Sequence, residues 1–383
     1  MSLSRADRSG FAVWWWTVDR IALFAMLGLI AIGLMLACAA SPAATGGPLT
    51  QGDFRYAVKQ VAFALIAAGI LGGTSLLSLR QVKIVAAVVF AVALIGTVLV
   101  LFIGEEILGA RRSIDFGGLS LQPSEFLKPG FAVLAAAILA DKHELPLPKP
   151  IVTFLLIVPA LIALPLQPDD GQTTLLLALW GALLFFAGVE LYWMGAVAGG
   201  MSLLGVIAFA SSAHVRLRIE QFLSASGPGY QTGLSLKAFA HGGLIGVGPG
   251  AGTIKYRIPE AHSDFIYAVA GEEFGLALCA VIAVLFCVLT VRLLLRSAGA
   301  REPFAQLAGA GLAIVTAFQA FINMGVAVRM LPAKGMTLPF ISYGGSSLFA
   351  VALTMGFALA VTRQRPKLAT REDSFLGMLG ARA

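Results

Sequence analysis

Five ionisable residues, Lys255, Arg257, Glu260, His262 and Asp264, crowd into ten positions, and from Phe265 the chain turns apolar almost to Arg292. Only Glu272 and Glu273 interrupt that apolar stretch. Asp264 therefore stands where a polar loop passes into a helix of membrane-spanning length. An ionisable group there is costly and marks a functional site by default. Position alone fits a helix cap equally well, since Asp is a favoured N-cap residue.

Other groups could bind rather than react. Glu125 and Lys128 are three residues apart at a predicted helix start and share a face. They either satisfy one another near the headgroups or leave Lys128 facing an anion, with Glu125 orienting it or holding a cation. Arg216, Arg218, Lys255 and Arg257 flank the longest loop, and Arg111 and Arg112 lie in another. Guanidinium groups grip phosphate oxygens in pairs. Singly each of these residues suits lipid headgroups; together they favour a diphosphate-bearing ligand. The Leu338–Ser347 stretch opens a span, and its free N–H groups, with Ser342 and Ser346, could hold an anion. Its small residues equally permit close helix packing.

Several patterns fail. The glycine run from His241 to Gly252 follows no strand and carries no Gly-Lys-Ser/Thr, which excludes Rossmann and P-loop readings; it is expected to be a mobile loop over a site. The four histidines are too dispersed for zinc, and Cys38, Cys279 and Cys287 lack paired spacing. No metal-ligating set is identifiable.

The elements that must carry these groups are membrane helices. Apolar residues make up 58% of the chain and charged residues 12%, far from a soluble domain. Runs of bilayer-spanning length begin at Ile21, Ala57, Ile84, Pro123, Ile151, Thr173, Leu191, Phe265, Phe304 and Tyr343. The expected fold is an all-α polytopic membrane protein of about ten transmembrane helices. A 1–20 cytoplasmic segment, with Trp14-Trp15-Trp16 as interfacial anchor, precedes the 21–363 membrane domain, and 364–383 form a cytoplasmic tail. A long extracytoplasmic loop, 211–264, separates helices 7 and 8 and holds a short amphipathic piece near Tyr230–Ala240. With the N-terminus inside, fifteen Lys/Arg fall on the inner side and twelve outside, five of these in the long loop that the positive-inside rule discounts. Both termini are thus expected in the cytoplasm. The net charge of +7 is scattered over short loops, which argues against nucleic acid.

Three blocks together resemble a known family: Gln122-Pro123-Ser124-Glu125-Phe126-Leu127-Lys128, Pro259-Glu260-Ala261-His262-Ser263-Asp264-Phe265, and Asn323 through Pro332-Ala333-Lys334-Gly335 to Ser347. They are similar to the SEDS family of bacterial cell-wall polymerases (FtsW, RodA and SpoVE), and the wording is closer to the division branch than to the elongation branch. The resemblance covers nearly the whole chain. It implies a peptidoglycan glycosyltransferase at the outer face of the bacterial inner membrane, at the division septum, using lipid II. It also implies a class B penicillin-binding protein (an FtsI-like transpeptidase) and other divisome membrane proteins as partners. The family's essential aspartate falls on Asp264, its Glu/Lys pair on Glu125 and Lys128, and its motif neighbours on His262 and Ser263, where Ser replaces the commoner Thr.

The residues suit that chemistry. A sugar on a diphosphate already has a good leaving group, so one base suffices. Partial desolvation would raise the pKa of Asp264 and improve it as that base. Cationic groups, with Mg²⁺ or Mn²⁺ as a possible aid, would stabilise the departing diphosphate. Two other readings stay open: a lipid II flippase, and a non-catalytic scaffold that activates a transpeptidase.

Overall fold

The computed structural model describes residues 9–44, 54–107, 110–115, 117, 120–211, 213–223 and 229–363. The predicted tail, 364–383, lies outside the described residues, as do positions 1–8 of the N-terminal segment. The fold is a helical bundle: α1 (Gly10–Thr17), α2 (Arg20–Ala44), α3 (Arg55–Ser75), α4 (Leu79–Ile103), α5 (Ser124–Ala140), α6 (Lys149–Leu166), α7 (Asp170–Phe186), α8 (Leu191–Ser211), α9 (Ala213–Leu223), α10 (Tyr230–Gly242), α11 (Ile266–Ala298), α12 (Pro303–Ala327) and α13 (Gly345–Thr362). Seven of these, α2, α3, α4, α6, α11, α12 and α13, are long and apolar enough to cross a membrane, and α7 and α8 contain shorter apolar stretches. The ten expected spans fall on these nine and on α5, which carries the charged Glu125 and Lys128 in its first turns.

Local chemistry sets the helix ends. Ser78 and Gln81 form a reciprocal capping box that starts α4 immediately after α3. Asp169 accepts from the Gln172 amide (3.2 Å) and starts α7. The polar 104–122 loop forms two small antiparallel ladders among its described residues, β1 (Glu106–Ile107) with β2 (Ala110–Arg111) and β3 (Ile114–Asp115) with β4 (Ser120–Leu121). The long loop is likewise structured, by α9, by α10 on the predicted amphipathic piece, and by a 3-10 turn, Ile254–Arg257.

Helix α13 is the axis of the bundle. It is buried along nearly its whole length and packs on α3, α12 and α5. At one end of the bundle, Asp19 starts α2 by accepting from the Ala22 amide (2.9 Å) and pairs with Arg292 (2.8 Å) and Arg296 near the end of α11. The opposite end gathers the starts of α5, α7, α11 and α13, and it carries Asp264.

The glycine run, expected to be a mobile loop, is hydrogen-bonded to a break in α11. Gly275 adopts φ +73°, a left-handed conformation that interrupts the helix. The break frees the carbonyls of Glu272 and Glu273, which accept from Val247 and Gly248, and the amides of Leu276 and Ala277, which donate to Gly243 and Leu244 (all 3.0 Å). The two glutamate side chains finish the anchoring. Glu272 accepts from the amides of Thr253, Ile254 and Lys255 (2.7–2.9 Å), and Glu273 accepts from the Gly250 amide (3.0 Å). The run is thereby built into the broken helix.

Candidate active site

The turn Glu260–Asp264 precedes α11, whose N-cap position belongs to Phe265. Asp264 thus stands one residue outside the cap position, half-buried. The turn closes through a left-handed Glu260 (φ +55°), whose carbonyl accepts from the amides of Ser263 and Asp264 (3.2 and 3.1 Å). A second turn, 338–343, lies against it and contains another left-handed residue, Phe340 (φ +64°). Non-glycine residues in this region are strained and cluster where surrounding structure holds them for function. The two turns are joined by Tyr343 N–H to the His262 carbonyl (2.9 Å) and by Ser342 Oγ to the Ser263 carbonyl (2.5 Å).

His262 packs between aromatic rings, with Tyr56 at 4.9 Å and Tyr343 at 5.5 Å between centroids. Burial pushes its pKa below the usual imidazole value, and the Glu260 carboxylate, 3.8 Å away, opposes that shift. Ser263 Oγ donates to Glu260 (2.7 Å). Beside the turn, a cavity of about 290 Å³ is lined by Ala43, Tyr256, Arg257, Glu260 and His262 among others.

Of the loop cations singled out in the sequence, Arg112 lies near Asp264, while Arg111 and Lys255 turn to other partners. An atom built as Cβ on Gly335 would lie 3.1 Å from Asp264 Oδ2 and 3.7 Å from Arg112 Nη1, so carboxylate and guanidinium flank one point. Arg112 is held there by the carbonyls of Gln167 (3.2 Å) and Pro168. Lys334, next to Gly335 in the chain, donates to Thr174 Oγ1 (2.8 Å). Arg111 instead pairs with Glu106 across β1 and β2 (3.6 Å). Arg216 folds back onto the Phe209 and Ala210 carbonyls at the end of α8 (3.3 and 2.8 Å). Lys255, expected at the outer face, is 1% exposed and paired with Glu273, because the broken α11 needs a buried countercharge there. Arg257 lines the cavity beside the turn; the Arg218 side chain lies outside the described residues.

Glu125 and Lys128 take the self-satisfied arrangement. Both are 3% exposed, Lys128 Nζ lies 2.6 Å from Glu125 Oε2 and 2.8 Å from Gln319 Oε1, and Gln172 donates to the other Glu125 oxygen. Ser342 and Ser346 support backbone: Ser342 accepts from the Leu338 amide (2.7 Å), and Ser346 bridges the Ser120 carbonyl and the Gln122 amide (2.7 and 3.0 Å). Gln319 and Asn323, one turn apart on α12, were not among the predicted residues. Gln319 holds Thr337 (3.1 Å to its carbonyl), and Asn323 donates to the carbonyls of Met336 (2.6 Å) and Asp264 (2.8 Å).

Among the described residues no three carboxylate, imidazole or thiolate groups come together to hold a metal ion. Asp264 shares its surroundings beside Gly335 with the Arg112 guanidinium, and the described residues build no all-protein cage for Mg²⁺ or Mn²⁺. The arrangement offers one half-buried carboxylate, a nearby guanidinium for an anionic leaving group, and a bare glycine backbone close against the carboxylate.

Comparison with known proteins places this end of the bundle in context. Residues 20–367 match the FtsW/RodA/SpoVE family, described as cell cycle proteins. A Caulobacter vibrioides protein named "Probable peptidoglycan glycosyltransferase FtsW" is 39% identical over 368 residues, covering 95% of this chain and 94% of that protein. The Coxiella burnetii protein of the same name is 32% identical, covering 90% and 96%. Among solved structures, a chain from work on the structural coordination of polymerization and crosslinking by a peptidoglycan synthase complex aligns with TM-score 0.74 at 25% identity, covering 90% of this chain and 97% of that one. The Rod shape determining protein RodA of Thermus thermophilus aligns with TM-score 0.65 at 25% identity, covering 91% and 98%.

Proposed function

The chain belongs to the FtsW/RodA/SpoVE family of cell cycle proteins, and we propose that Asp264 is the general base of its reaction, the polymerisation of lipid II into glycan strands for the division septum. The protein is a multi-pass membrane peptidoglycan glycosyltransferase. The observation that carries the assignment of the base is the half-buried Asp264 carboxylate flanked by Arg112 across the bare Gly335.

The acceptor sugar hydroxyl gives its proton to the Asp264 carboxylate as its oxygen attacks the anomeric carbon of the donor. The bond from that carbon to the diphosphate oxygen breaks, and its electron pair leaves with the undecaprenyl diphosphate. A single displacement inverts the anomeric centre. Arg112 and Lys334 lie where they can offset charge developing on the diphosphate, a stabilisation realised mainly in the transition state. A low dielectric around the half-buried carboxylate strengthens both effects.

The reaction belongs at the outer face of the inner membrane, with both termini in the cytoplasm. The inner-side cations Arg20, Arg80, Lys83, Arg292 and Arg296 fall at the bundle end opposite Asp264, which supports that orientation. A class B penicillin-binding protein, acting as crosslinking transpeptidase, is the partner this reading requires, alongside other divisome membrane proteins.

Purified protein with its transpeptidase, incubated with lipid II, tests the reading directly. Glycan strands are expected. Passage of lipid II across liposomes with no strand formation would replace polymerase by flippase, and division supported by Asp264→Asn would replace it by scaffold.

A further inference from the structure

Asn323 is 1% exposed on α12, and its amide nitrogen contacts two carbonyl oxygens from separate segments, Asp264 at 2.8 Å and Met336 at 2.6 Å. Carbonyls only accept, so the nitrogen rather than the oxygen of the amide must face them. An amide NH₂ has two hydrogens, and here each is used. One side-chain atom therefore ties the turn that carries Asp264 to the segment that carries Lys334 and Gly335.

The neighbouring turn of α12 extends the tie. Gln319, 2% exposed, accepts from Lys128 (2.8 Å) and donates to the Thr337 carbonyl (3.1 Å), and Thr337 Oγ1 lies 2.5 Å from Ser347 Oγ at the start of α13. The segment 336–337 is thus fastened to α12 at two points four residues apart. Asn323 Oδ1 is buried with no hydrogen-bond partner. A buried amide that leaves its oxygen unpaired bears a desolvation cost. Retaining it is understandable where both of its donors are needed in place.

We propose that Asn323 is a positioning residue for Asp264, fixing the reach of the carboxylate toward the acceptor by clamping its turn to the Met336 segment. The role rests on Asp264 being the base. Asn323 touches the Asp264 backbone and takes no part in proton transfer. Its effect belongs to the chemical step, where misplacement of a reacting group by about 1 Å can cost on the order of 100-fold.

The test uses the full protein copurified with its transpeptidase and assayed on lipid II, comparing Asn323→Ala, Asn323→Gln and Asp264→Asn with wild type. Thermal unfolding in detergent reports folding. Asn323→Ala is expected to lower kcat about 10- to 100-fold with KM within about twofold, at a near-native melting temperature. Asn323→Gln, which keeps the two-hydrogen donor, is expected to recover part of the loss. If Asn323→Ala does not fold, Asn323→Ser, which keeps one donor, takes its place with the same readouts. An inactive Asp264→Asn with wild-type kcat in Asn323→Ala overturns the positioning role and leaves the base in place. So does a loss shared by kcat, KM and melting temperature that Gln does not relieve. Full activity in Asp264→Asn removes the base, and with it anything for Asn323 to position.

Discussion

Gly335 presents its bare Cα to the carboxylate of Asp264: a Cβ at 335 would stand 3.1 Å from Oδ2. Such a contact is tighter than ordinary van der Waals packing, so the carboxylate would have to retreat by a few tenths of an ångström. The same Cβ would sit 3.7 Å from Arg112 Nη1. Gly335 is exposed, so its substitution disturbs little else. Gly335→Ala is expected to lower kcat by about three- to tenfold, and Gly335→Val by more, with an unchanged melting temperature. Steady-state assays on lipid II beside thermal unfolding check this; an unaltered kcat in Gly335→Val would show that the carboxylate has room to spare.

Lys128 and Glu125 form a buried pair, and the damage from breaking it should exceed the damage from removing it. Lys128→Met leaves an uncompensated carboxylate at a site 3% exposed, at an expected cost of about 3–5 kcal/mol. Adding Glu125→Gln should restore most of that stability, because a neutral pair of similar volume carries no stranded charge. Detergent-solubilised unfolding of the two single variants and the double variant measures the coupling. Additive losses would mean that the two charges act independently.

His262 gives the Glu260–Asp264 turn a pH dependence of predictable sign. Burial between Tyr56 and Tyr343 lowers its folded-state pKa against the opposing Glu260 carboxylate, so the unfolded chain takes up a proton first. Its contribution to stability is complete above the unfolded value of about 6.5 and is lost as pH falls from there through the lower folded value. Arg257, on the same cavity, adds further repulsion once the ring is charged. Unfolding between pH 7 and 5 should show a steeper acid loss for wild type than for His262→Phe. Identical slopes would place the acid-sensitive group elsewhere.

Apolar run length made the bundle legible in the sequence: seven of the ten predicted spans fall on helices long and apolar enough to cross a membrane, the other three fall on α5, α7 and α8, and the piece near Tyr230 falls on α10. Asp264 was nominated by its place where a polar loop meets a spanning helix and by the family block around it, since position alone fitted a helix cap equally well. Which of the loop cations lies beside it was not legible. Proximity in the chain nominated Lys255, yet the left-handed break at Gly275 turns the preceding loop inward and buries that lysine against Glu273. Arg112 comes to the same point beside Gly335 as Asp264 from a loop 152 positions away, and no local pattern encodes that approach. Asn323 opened the third family block without a role assigned to it, and Gln319 read as an ordinary polar residue in an apolar helix. The signal for a joint role was their spacing of four, which puts two buried amides on one face.

The measurement that bears most directly on the central claim is glycan-strand synthesis from lipid II by wild type and Asp264→Asn, each copurified with the transpeptidase and matched for melting temperature. Asn keeps the shape of the side chain and removes its basicity, so fold and substrate binding should persist while strand formation falls to the detection limit. Strands of equal yield and length from a folded Asp264→Asn protein would contradict the account and move the base to another residue.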